Sequence, residues 1–283
     1  MKAIDATVPF RYRLVILLGS ACLLAVLTAE LLLSSRQMSL TLDEGAHLYA
    51  GYQHWRARDF GVNPEHPPLV KLVAALPLLG MNLKQPHPPN PFFIVEEYAG
   101  GAELLQANNM NLLLNRSRTA ACVFTLLLGV LVFAMGYEMF GPEAALLALA
   151  LFTFEPTVLA HGALVTTDMG VAACLCATVY AFYRYVKQPG VTRLLVFGVT
   201  VGLTLVTKLS GVLILPIVVV CAATGADSRL EHEARLTARR RDLCGCGDRV
   251  CDSVGLLRVS LCGAPSRAGH DASTCSVCTH DAG

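Results

Sequence analysis

Two clusters of acids and histidines interrupt an otherwise apolar chain. The first is Thr41-Leu42-Asp43-Glu44-Gly45-Ala46-His47, directly after the first membrane-length run; the second is Asn63-Pro64-Glu65-His66-Pro67-Pro68. Ionisable side chains at the mouth of a lipid-embedded helix bundle are costly unless used. Carboxylates placed there therefore point to chemistry on a substrate that itself lies in the membrane. A carboxylate within hydrogen-bond reach of a hydroxyl can take its proton as that oxygen forms a new bond. Asp43 and Glu44 are adjacent like charges, an arrangement expected to raise the proton affinity of one of them. The plainer reading of the same residues is that Thr41 or Asp43 caps a helix running through Gly45 to Trp55. Glu44 and His47 also stand three apart, the Glu-x-x-His spacing of carboxylate-bridged metal sites. With Glu65 and His66 approaching, His47 and Glu65 become ligands for a divalent metal ion. A lone pair of this kind is equally a solvated helix face, and no His-Glu-x-x-His motif of a zinc peptidase occurs.

The elements that must carry these clusters follow from composition. Hydrophobic residues make up 54% of the 283 and charged ones 15%, with mean hydropathy +0.53, far from an average soluble domain. The chain reads as an all-α integral membrane protein, a polytopic helix bundle with a large helical extracytoplasmic first loop. A net charge of +1 and no basic stripe with interleaved aromatics exclude nucleic acid as a partner and leave the lipid bilayer.

A helix needs roughly 20 residues to cross the hydrocarbon core. Residues 1–13 form a cytoplasmic amino terminus with Lys2, Arg11 and Arg13, and 14–33 the first span, too long and without a cleavage site for a signal peptide. Residues 34–118 form the extracytoplasmic loop; 119–140, 144–160 and 169–185 are further spans, the first two separated by Gly141-Pro142-Glu143. Arg184, Lys187 and Arg193 gather around Gln188-Pro189-Gly190, as a cytoplasmic turn requires. Residues 194–223 would measure about 45 Å as one helix, with Lys208 at the middle. Two short arms, with Lys208 at an outer turn beside Asp43 and Asp168, fit that length; one tilted, kinked helix is the alternative.

The loop from Thr41 to Leu79, the segment from Glu155-Pro156 to Asp168, and Thr207-Lys208-Leu209-Ser210-Gly211 together resemble the GT-C superfamily of membrane glycosyltransferases. Protein O-mannosyltransferases and lipid A aminoarabinose transferases are the branches it looks most like. The resemblance covers about the first 220 residues. It implies an inverting enzyme that moves a sugar from a polyprenyl-phosphate donor to a hydroxyl on a protein or glycolipid acceptor, at the extracytoplasmic face of a bacterial inner or plasma membrane. It makes Asp43 the catalytic base, with Glu44 sharing the role and Asp168 as the second acid, although Thr166-Thr167-Asp168 is also a good helix cap. Lys208, His66, Arg116 and Arg118 are the groups for the leaving phosphate. His66 stands where the aminoarabinose branch has lysine, and Arg116 and Arg118 sit where arginines commonly snorkel to headgroups. A non-catalytic transporter or assembly factor is the alternative class; it should carry ionisable residues deep in several spans, which here hold few besides Glu30, Glu138 and Lys208.

After Ala223 the apolar periodicity stops. Arg239-Arg240-Arg241 precedes Cys244, Cys246, Cys251, Cys262, Cys275 and Cys278, whose spacings do not repeat as a zinc module's do. Codons permitted for Val250 to Cys262, read one base later, encode an apolar string with an aromatic end. Residues 224–283 therefore read as a non-globular, out-of-frame tail, and the chain as the truncated amino-terminal part of a longer transferase.

Overall fold

A computed structural model describes residues 9–86 and 92–223. The chain divides into two units, Met1–Ala223 and Thr224–Gly283. The second unit, with its cysteines and the expected out-of-frame string, lies outside the described residues.

The described residues are helical. The order is α1 Phe10–Gln37, α2 Leu42–Arg56, α3 Leu69–Ala75, α4 Phe93–Ala107, α5 Met110–Phe140, α6 Pro142–Thr153, α7 Pro156–His161, α8 Thr167–Lys187 and α9 Val191–Leu205. A 3-10 turn at Leu76–Leu78 extends α3, and another at Leu209–Leu213 opens a further apolar helix that reaches Ala223. Three helices, α1, α5 and α8, are long and apolar enough to cross a membrane. This is the all-α membrane architecture expected from composition.

Local chemistry explains several boundaries. Asn109 caps α5, its side-chain oxygen accepting from the Leu112 N–H at 3.1 Å, so this helix starts nine residues before the span expected at 119–140. Where one crossing at 144–160 was expected, α6 ends at Thr153 and α7 restarts at Pro156, because proline brings no N–H for a continuing ladder and sits well in a first turn. Gly141, with φ of 100°, makes the left-handed turn between α5 and α6.

α5 is the central post: α1, α3, α6 and α8 all pack on it, and α9 packs on α8. Buried hydroxyls join the helices, as between Thr178 and Thr204 (2.9 Å) and from Thr125 to the Gly162 carbonyl (2.7 Å). Leu14, Val15, Leu17 and Leu18 of α1 and Leu195, Val196 and Val199 of α9 point outward, as lipid-facing residues do. At one end of the bundle a second layer forms, in which α2 lies between α3 and α4 over a core including Leu48, Tyr52, Leu78, Leu104 and Leu113. At the other end Glu138 gathers the Tyr180 hydroxyl, Lys187 and Arg184, and Tyr12 donates to Glu143.

Candidate functional site

The layer of α2, α3 and α4 is fixed to the bundle by one buried ion pair. Glu44 is in the first turn of α2, and Arg118 lies two turns into α5 with 1% of its surface exposed. Glu44 Oε1 accepts from Arg118 Nε (2.8 Å) and the Val165 N–H (3.1 Å), and Oε2 from Arg118 Nη2 (2.6 Å) and the Thr41 N–H (3.1 Å). Arg118 spends its remaining hydrogens on the carbonyls of Ser35, Met38 and Ser39 at 2.7–2.9 Å. All five guanidinium donors are used. Burial opposes the charge on Glu44, but the Arg118 bonds prevail and hold its carboxyl below the ordinary value. The pair expected to share the base role and to bind phosphate is thus occupied internally, tying the end of α1 to α2, α5 and the segment before α8.

Asp43, one position earlier on the helix, points elsewhere and is exposed. Its neighbours are Tyr98 of α4, whose hydroxyl is 3.5 Å from Oδ1, and His66, whose ring feels the Asp43 charge. At the start of α8, Asp168 Oδ1 meets Lys208 Nζ at 2.6 Å. Lys208 occupies the extended break after α9, where Gly211 folds so tightly against Thr204 that an added Cβ would lie 2.3 Å from the Thr204 carbonyl oxygen. The Lys208 charge also acts on His66, which stands within electrostatic reach of both Asp43 and Lys208. Burial and the ammonium groups of Lys71 and Lys208 push the His66 pKa down, against the pull of Asp43 and Glu65. Asp43, Glu65, His66, Asp168 and Lys208 therefore share one end of the bundle. Arg116, exposed and two residues from Arg118, lies on another face of α5.

Beneath His66, the His47 ring meets it edge-on at 5.0 Å. His47 is buried, and burial, with His66 and Lys71 nearby, lowers its pKa to about 4. With the Glu44 oxygens saturated, the Glu-x-x-His pair cannot act as one ligand unit. Among the described residues no three His, Cys, Asp or Glu side chains gather as metal ligands. Among these residues His47 and Glu65 have no third side chain of those types gathered with them.

Sequence reasoning missed Lys71, Asn63, Glu97 and Tyr98. Lys71 of α3 is 1% exposed, and burial lowers its pKa to about 8. Its ammonium donates to the Asn63 carbonyl (2.7 Å), Asn63 Oδ1 (3.0 Å) and the His66 carbonyl (2.6 Å). Asn63 takes a left-handed φ of 55° and donates through Nδ2 to the buried Glu97 at 2.7 Å. Burial and the Glu65 and Asp43 charges raise the Glu97 pKa, against Asn63 and Lys71. The available signal was a lone lysine in the apolar run Leu69 to Leu79.

No curated protein and no solved structure matches the chain. Residues 99–236 match the family described as dolichyl-phosphate-mannose-protein mannosyltransferase. That segment takes in α5 to α9 and the break after α9, and with them Arg118, Asp168 and Lys208. Over these residues the chain is thus similar to membrane glycosyltransferases of the dolichyl-phosphate-mannose-protein mannosyltransferase type, a GT-C superfamily type of domain.

Proposed function

We propose that the chain carries the acid-bearing end of an inverting transferase, which moves a sugar from a polyprenyl-phosphate donor to a hydroxyl of a protein or glycolipid. The reaction takes place at the extracytoplasmic face of a bacterial inner or plasma membrane. One observation supports this most: Asp43 is an exposed carboxylate beside an anchored one, at the same end of the bundle as the Lys208–Asp168 pair.

In this reading the acceptor oxygen attacks the anomeric carbon while Asp43 takes its proton, and the bond from that carbon to the phosphate oxygen breaks. Negative charge grows on the departing prenyl phosphate, where the Lys208 ammonium meets it. Asp168 aims Lys208 rather than reacting. Glu44 and Arg118 act by fixing the turn from which Asp43 projects.

Transfer of radiolabelled sugar from a polyprenyl-phosphate donor to hydroxyl acceptors, measured in membranes containing the full chain, tests the assignment. Asp43→Asn should lower turnover by about 100-fold or more, the scale of a lost general base, with membrane insertion unchanged. Turnover retained in that variant removes Asp43 from the base role.

A further inference from the structure

Lys71 has no part in the transfer step just described, yet it is among the most deeply buried charged side chains of the described residues. An ammonium has three N–H donors and no acceptor, and here every donor has a partner at 2.6–3.0 Å. All three partners belong to Asn63 and His66, the two ends of the Asn63-Pro64-Glu65-His66 turn. A charge so enclosed is retained only when its bonds are complete, because desolvating an unpaired ammonium is prohibitive.

The contacts extend in two directions. Through Asn63 Nδ2 the turn is held to Glu97 of α4, next to Tyr98, whose hydroxyl faces Asp43. Two residues before Lys71, the Leu69 N–H donates to the Val206 carbonyl at 3.0 Å, binding the start of α3 to the break that carries Lys208. Lys71 thus sits where three separately anchored pieces meet: the turn bearing Glu65 and His66, the α4 edge beside Asp43, and the Lys208 break.

We propose that Lys71 is a positioning residue for donor binding: its ammonium closes the 63–66 turn and so places His66 between the proton-accepting and the phosphate-facing ends of the site. The assignment rests on the transferase reading above and adds a residue to it. Because the Lys71 ammonium bonds only to the Asn63 and His66 carbonyls and Asn63 Oδ1, its removal loosens the turn that carries His66 beside the donor site and leaves Asp43 in place. The defect should lie in KM for the donor, not in kcat.

Lys71→Met keeps the length and packing of the stem while deleting the donors. Loss of a buried hydrogen-bonded set of this kind should raise the donor KM about tenfold or more, with kcat within about threefold of wild type. Asp43→Asn should show the opposite split. A spin label at Glu65→Cys should become more mobile in the Lys71→Met background, while one at Glu155→Cys, at the start of α7, should not change. Asn63→Ala, which removes one of the three Lys71 bonds and the bond from Asn63 Nδ2 to Glu97, should move both readouts in the same direction. An unchanged donor KM in a chain that transfers sugar overturns the proposal, as does an unchanged label at position 65. If the wild-type chain transfers no sugar, the transferase reading fails, and the label experiment alone decides whether Lys71 holds the turn.

Discussion

The residues with the most evident chemistry are not the most deeply held. Asp43 and Lys208 could be picked out from the sequence because polar groups at the ends of apolar runs stand out. Lys71 and Arg118 could not be interpreted there. A single cation near a helix end looks like a snorkelling side chain, and what distinguishes these two is a set of non-local acceptors. His47 gives a test at this scale. Its folded-state pKa of about 4 lies below the unfolded value near 6.5, so the unfolded chain binds more protons between those limits. Stability contributed by the neutral ring is present above pH 6.5 and is lost as pH falls toward 4, by on the order of 3 kcal/mol over the window. Thermal unfolding of the purified chain should show that acid slope, and His47→Gln should flatten it; an equal slope in the variant contradicts the assignment.

Helices were readable from run length and polarity, since α1, α5 and α8 stand on three of the expected spans. Their ends were not, because caps and backbone breaks decide them: Asn109 lengthens α5, and Pro156 divides what looked like one crossing into α6 and α7. Crossings between elements were equally hidden. α2 passes so close to α3 at Gly51 that an added Cβ would stand 2.2 Å from the Lys71 carbonyl oxygen, a backbone atom with little freedom to retreat. Gly51→Ala should therefore cost about 1–3 kcal/mol through overpacking. Gly198→Ala on α9, which meets nothing within 4 Å, should be near neutral. Melting temperatures in detergent compare the two directly, and equal values would place α2 and α3 farther apart than described.

Across the described residues of the first unit, charge and polarity separate into two ends: Asp43, Glu65, His66 and Lys208 at one, and Glu138, Arg184 and Lys187 at the other. The proposed sidedness predicts that a membrane-impermeant thiol reagent applied to intact cells labels Glu65→Cys and spares Gln188→Cys. Labelling of both from outside, or of position 188 alone, contradicts it. α9 has 15 residues and ends before Lys208, so its axial length is about 22 Å against a hydrocarbon thickness near 30 Å. Lipids bordering that flank have to shorten and tilt to cover it. If the donor is the polyprenyl phosphate proposed above, its head would enter this thinned annulus already sunk toward the Lys208 ammonium, and loading would need sideways diffusion rather than extraction of the tail into water.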